Sequence, residues 1–262
     1  MLKIKYYSLL VFSYLANPLL QKFWYYVHLL WLAWMWYWYW VNNQWHAKKI
    51  IYKKYFKNNN SPFLIFDVWA NIGQTIDEIL ESSFNNYSVY SFEPQVFNYK
   101  ILTEKYSHIQ NIKLFDIWFS DKSWTIDFFK DIEWDTGWSI TTNIRENKII
   151  ETIKIDTIDD FCTKNNISSI NYLKMDIEWS EFSALKWASN MIQSWNIDVI
   201  EFEFLRQNIS SRVFMKDFWN LLWENYDFYR ILPHNIYRIK TYSHLLEIYC
   251  LSNFVCIKKW LQ

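Results

Sequence analysis

The sequence predicts an α/β fold: a mixed seven-stranded sheet with helices on both faces, a β-hairpin insertion and a helical N-terminal extension. Three observations predict it. From Phe63 onward, short apolar runs alternate with stretches of helical periodicity, the pattern of parallel strands joined by crossover helices. A chain of 262 residues with 52% apolar and 21% charged content suffices for one such domain with a full core and a lead-in. The clearest break, NNNSP at 58–62, carries a proline that discourages helix before it, so 1–60 reads as lead-in and 61–262 as the folded domain.

The elements follow in order. FLIFDV (63–68) reads as a buried strand. Ile72, Ile76, Ile79 and Leu80 recur at i, i+4, i+7 and i+8, which starts a helix within a few residues of that strand. SVYSF (88–92), NYLKM (171–175) and the acidic IDVIEFEF (197–204) are further strands. Between the third and fourth of the sheet's strands, 121–161 with TIDFF, SITT and IIETIKI is β-rich and reads as a hairpin insertion over the substrate side. Beyond Phe204, the residues Val213, Phe214, Phe218, Leu221 and Leu222 mark one face of a helix, with strands near 228–232 and 253–257. In the lead-in, the apolar run at 6–16 reads as a docked amphipathic helix.

One feature of the composition is abnormal. Average usage is ~7% glycine, yet the chain holds 2 glycines and 18 tryptophans. Turns and helix ends need residues that tolerate positive φ, and tryptophan is poorly suited to that. Trp69, Trp124, Trp134, Trp138, Trp179 and Trp223 all fall where turns or strand ends are expected, so many tryptophans stand where glycines belong. The same point bears on 23–41, FWYYVHLLWLAWMWYWYWV, whose only ionisable group is His28. Taken literally, the segment is long enough for a membrane span. With glycine in place of Trp31, Trp34, Trp36, Trp38 and Trp40, it is too weakly apolar to span.

Lysine and arginine total 27 and so do aspartate and glutamate, so no net field draws in phosphate backbones. Nucleic acid is not an expected partner. Cys162, Cys250 and Cys256 show neither zinc spacing nor a disulfide framework, and a reducing cytosol is the expected compartment. His108, His234 and His244 stand apart from the motifs and read as surface or satisfied side chains.

The chemistry concentrates at the ends of the predicted strands. The loop DVWANIGQT (67–75) joins a strand to a helix N-terminus, where backbone N–H groups and the helix dipole meet a carboxylate or phosphate. Glu93-Pro94 ends the next strand twenty residues beyond Gly73, the place for a carboxylate that accepts from both ribose hydroxyls of a nucleoside cofactor. A helix cap with Pro94 at the first helical position is the bland alternative. Asp176 stands at the C-terminal edge of the sheet, with Glu178 and Glu181 within one turn. Glu201 and Glu203 share one strand face and need a partner: a cofactor ammonium, Lys174, Arg206, or a divalent cation bound through oxygen. Glu181 and Lys186 can also be read as solvated helix charges.

FDVWANIGQT, SFEPQVFNYKIL, FDIWFSDKSWTIDFF (115–129), IDTIDDF (155–161) and YLKMDIEWSEFSALKWA (172–188) together resemble the ordered motifs of FkbM-family methyltransferases. That family commonly shows FEP and KxDxEGxE. Here Trp179 takes the glycine place, Trp69 the first glycine of the cofactor loop, and Trp124 a turn glycine. The resemblance implies a class I methyltransferase Rossmann-like fold, closed by the antiparallel strands near the C-terminus. It implies S-adenosyl-L-methionine as cofactor, held by Asp67, Trp69, Asn71, Gly73, Gln74, Thr75, Glu93, Pro94, Ser120 and Asp176. The implied reaction is O-methyl transfer to a hydroxyl of a sugar, glycan or secondary metabolite, with Asp176 or Glu178 as general base. A divalent metal is compatible with these oxygen ligands but is not indicated. Two alternatives stay open: a non-catalytic module that keeps the fold but has lost the cofactor loop, and a protein anchored in the membrane through 23–41.

Overall fold

The computed structural model describes residues 21–34, 45–55, 62–82, 86–120, 124–131, 138–139, 148–177 and 180–261. Helices α1 (Gln21–Trp34) and α2 (Trp45–Tyr55) precede the sheet. Then β1 (Phe63–Val68), α3 (Gln74–Glu81), β2 (Tyr87–Phe92), α4 (Val96–Tyr106) and β3 (Ile112–Phe115) alternate as the apolar runs predict. After an inserted region come α5 (Ile158–Lys164), β8 (Ile170–Met175), α6 (Glu181–Lys186), α7 (Ser189–Gln193) and β9 (Ile197–Phe204). The chain continues through α8 (Gln207–Ser211), α9 (Met215–Leu222), β10 (Tyr226–Ile231), β11 (Ile236–Ile239) and β12 (Ser252–Lys258).

The main sheet has eight strands in the order β11-β10-β12-β9-β8-β1-β2-β3, one more than expected. The five strands from β9 to β3 pair parallel, while β12, β10 and β11 add antiparallel. The extra strand is β11, a short edge element with only Ile239 buried, so its sequence lacks an apolar run. Side chains alternate between two cores with the period of two that strands impose. Phe66, Val68, Leu173, Met175, Ile200 and Phe202 enter one core, beneath α5, α6, α7 and α9. Phe63, Ile65, Tyr172, Val199 and Val255 enter the other, which α2, α3 and α4 cover.

The inserted region forms a second sheet of β4 (Ile117–Phe119), β5 (Trp124–Asp131), β6 (Trp138–Ser139) and β7 (Lys148–Asp156), in the order β4-β7-β5-β6. It lies in the chain between β3 and β8, and β5–β7 is the predicted hairpin. In α3, Ile76 and Ile79 are buried, but Ile72 and Leu80 are exposed. Ile72 precedes the first helical turn, and Leu80 lies near the helix end, beyond the sheet's cover.

The lead-in is only partly described. α2 packs Ala47, Ile51 and Tyr52 into the second core. No helix among the described residues is long and apolar enough to cross a membrane. The expected helix at 6–16 and the residues 35–41 lie outside the described residues, as do Trp134 and Trp179.

Candidate functional site

The site grows out of three neighbouring parallel strands. Register places Asp67 of β1 opposite Lys174 of β8, and Lys174 opposite Glu201 of β9, so one row across the sheet reads carboxylate, ammonium, carboxylate. Asp67 is fully buried, and its two oxygens have no hydrogen-bond partner among the described residues. The Lys174 Nζ lies 3.5 Å from Asp67 Oδ1 and 3.4 Å from Asp176 Oδ2. Burial raises the Asp67 carboxyl above the usual range, and Lys174 opposes that rise. For Lys174 burial works against the charge, but Asp176, Asp67 and Glu201 outweigh it and hold the ammonium firmly protonated.

The loop after β1 turns sharply. The Trp69 and Ala70 N–H groups both donate to the Phe92 carbonyl, at 2.9 and 3.0 Å, which ties the loop to the end of β2. Trp69 adopts φ 71°, Asn71 50° and Gly73 96°. A Cβ on Gly73 would lie 2.3 Å from the Tyr106 ring, so this glycine answers both to the backbone and to packing. The Trp69 indole is half buried between the two sheets, edge-on to Trp118 with centroids 4.8 Å apart.

Glu93 is completely buried. Its carboxylate accepts from the Asn71 N–H at 2.8 Å and the Gln95 N–H at 3.0 Å, so it braces the loop after β1 against the end of β2. Burial pushes its carboxyl up to about 8, with the two amides pulling the other way. Pro94 beside it is buried too, and the helix N-cap is Gln95 rather than Glu93. Gln74 is exposed and Thr75 buried in the first turn of α3. Ser120 follows β4, two residues past the Trp118 that touches the loop, and its N–H donates to the Asp156 carbonyl at 3.1 Å.

Asp67, Glu93 and Asp176 therefore come together at the C-terminal ends of β1, β2 and β8. The Asp176 N–H donates to the Val68 carbonyl at 3.3 Å, and its carboxylate is 44% exposed, open to an incoming molecule. Glu178 lies outside the described residues. Glu181 is not a solvated charge: it is fully buried and accepts from the Ile177 N–H at 2.9 Å, holding the chain as it leaves β8.

Two partners of Glu201 carry no signature in the sequence. Glu201 takes its countercharge from Lys48 of α2, whose Nζ lies 3.0 Å from Oε1, and accepts a short hydrogen bond from the Tyr172 hydroxyl. Neither Lys48 nor Tyr172 carries a motif. The available signal was the spacing of Ala47 and Ile51 around Lys48, which marks one helix face. No cluster of histidine, cysteine and carboxylate side chains that could hold a metal ion occurs among the described residues.

A family model matches this part of the chain: the methyltransferase FkbM domain, over residues 67–230. The chain belongs to the FkbM methyltransferase family. No curated protein matches it. Among solved structures it is similar to the FkbM methyltransferase of Methylobacillus flagellatus, at 15% identity and TM-score 0.46, over 76% of this chain and 44% of that one. It is also similar to the CurJ carbon methyltransferase, at 10% and 0.44, over 82% and 54%. Fibrillarin of Aeropyrum pernix, with natively bound S-adenosyl-L-methionine, matches at 8% and 0.40, over 82% and 76%. The chain thus spans about half the length of the first two.

Proposed function

We propose that this FkbM methyltransferase uses S-adenosyl-L-methionine to methylate a hydroxyl of a sugar, a glycan or a secondary metabolite. The observation that carries the reading is the fully buried Asp67 carboxylate at the strand end beside Glu93, which faces the Lys174 ammonium at 3.5 Å and the Thr75 side chain but has no close hydrogen bond among the described residues. Leaving buried acceptors unsatisfied costs roughly 1–3 kcal/mol each, and a cofactor with ammonium and hydroxyl donors removes that cost. The residues present fit it at Asp67, Asn71, Gly73 and Glu93, with Gln74, Thr75, Pro94 and Ser120 around them. The exception is Trp69, whose indole stands in the loop that the cofactor approaches.

When bound, the cofactor supplies a sulfonium methyl that a nucleophile displaces in line. The chain's own part is to orient the acceptor, which provides most of the acceleration where charge is neutralised rather than created. Lys174 fixes one oxygen of Asp176, leaving the other to accept the proton of the acceptor hydroxyl. Glu178 is the second candidate for that role. The balanced net charge supports a small-molecule or glycan acceptor rather than nucleic acid. The free thiols Cys162, Cys250 and Cys256 support a reducing cytosol.

Two measurements test the reading. In protein carrying glycine at 69 and 179, Glu93→Ala weakens S-adenosylmethionine binding by ~2–3 kcal/mol in calorimetry, because two charge-assisted hydrogen bonds disappear. An unchanged dissociation constant leaves Glu93 as a loop brace only. Incubation with labelled cofactor and a panel of sugar, polyol and phenol acceptors yields base-stable methyl ethers. Label on carbon or nitrogen alone overturns O-methyl transfer.

A further inference from the structure

Six residues other than glycine adopt left-handed backbone among the described residues: Trp69, Asn71, Asn86, Asn166, Trp195 and Arg212. Asparagine is the ordinary non-glycine occupant of that region, whereas a bulky residue there is an outlier. Trp195 shows why the conformation is imposed. It follows α7, and the Asn196 N–H donates to the Met191 carbonyl at 2.9 Å while the Trp195 N–H donates to the Ile192 carbonyl at 3.1 Å. This pair of bonds is the Schellman closure, which places its left-handed residue at position 195 and favours glycine there. Helix α5 closes the same way at Asn166, through Ile167 onto Cys162, and α8 closes so at Arg212, through Val213 onto Asn208. Arg212 demonstrates that a Cβ is tolerated in this motif, so geometry alone does not exclude tryptophan.

The composition decides the matter. A chain with 18 tryptophans and 2 glycines puts tryptophan at two left-handed turns and glycine at one described turn, Gly73. The bonds that fix both turns are made by the backbone. The carbonyl of Trp195, which any residue would provide, accepts from Lys258 Nζ at 2.6 Å. Trp69 likewise ties down its loop through its backbone N–H.

We infer that positions 69 and 195 are glycine sites: the cells that make this protein insert glycine there, at a codon such as UGA whose meaning differs between genetic codes. The protein as made then has a bare loop after β1, and the volume held by the Trp69 indole against Trp118 is open to a ligand. That last consequence rests on the proposed function; the identity of the residues does not.

Mass spectrometry of the protein from its own cells tests the inference directly. The tryptic peptides 58–100 and 187–206 contain positions 69 and 195, and fragmentation reads each residue. Glycine at both is the expected result; tryptophan at either overturns the inference. A second arm uses recombinant protein. Trp195→Gly raises Tm by about 2–4 °C, as expected for a domain of this size relieved of one strained residue, while Trp219→Gly, which removes a ring packed 4.6 Å from Phe228 inside α9, lowers it. A fall in Tm for Trp195→Gly as large as that for Trp219→Gly overturns the inference. Neither arm involves the cofactor, so a failure of methyltransferase chemistry would be seen separately.

Discussion

A carboxyl removed from water keeps its proton to higher pH, and Glu93 does so to about 8 because burial outweighs the two amides it accepts from. Its unfolded value is about 4.3. The folded value is the higher one, so the contribution of Glu93 to stability is full below about pH 4.3 and is lost as pH rises through about 8. Glu93→Gln keeps the size and removes the titration. The expected outcome is that Tm of the parent falls more steeply than that of Glu93→Gln between about pH 5 and pH 8, whatever the offset between them at low pH. Parallel curves over that range would mean that Glu93 does not titrate there. Cofactor hydroxyls donate to the ionised form, so binding near neutral pH drives a proton off this group. Calorimetry in buffers of different ionisation enthalpy reads that release as a buffer-dependent heat, and identical heats in all buffers would sink the idea.

Between residue and fold stand the elements, and α2 shows most clearly what pattern reading misses. The strands β1, β2, β8 and β9 were legible because buried parallel strands are continuous apolar runs, and their carboxylates stood out as interruptions at the ligand-binding edge. WHAKKIIYKKY carries no such mark, since Lys48 has no local partner and its role arises only when α2 lies across the sheet onto Glu201. Glu181 misled in the same way, because nothing in sequence says that its carboxylate turns back to the Ile177 N–H. The strand β11 escaped because an edge strand needs no apolar run. The pair Lys48–Glu201 is buried on both sides, at 8% and 2% side-chain exposure. Removing one partner of such a pair costs about 3–5 kcal/mol. Lys48→Met is therefore expected to lower the urea midpoint strongly, and the double variant Lys48→Met with Glu201→Gln to recover most of the loss. If the double variant is as unstable as the single one, the cost lies in α2 packing and not in the unpaired carboxylate.

At the scale of the whole molecule, the first core and the inserted sheet meet at the Trp69 loop, where the indole contacts both the large core and Trp118. A ligand that settles between β1, β2 and the inserted sheet must displace that ring or find it absent. In the sequence Trp179 follows Asp176 by three residues and takes the glycine place of the motif there. Protein with tryptophan at 69 and 179 is accordingly expected to bind S-adenosylmethionine poorly, and Trp69→Gly with Trp179→Gly to restore binding, each substitution contributing. Linkage makes this visible without knowing the acceptor, since a ligand at 100 times its dissociation constant stabilises the native state by about 2.7 kcal/mol. For a domain of this size that corresponds to a rise in Tm of roughly 5–10 °C. The glycine variant should show such a rise with saturating cofactor, the tryptophan protein little or none, and each single variant an intermediate shift. Equal shifts in all four proteins would mean that the loop accommodates the indole together with the cofactor, and the ring's position against Trp118 would then be part of the binding site.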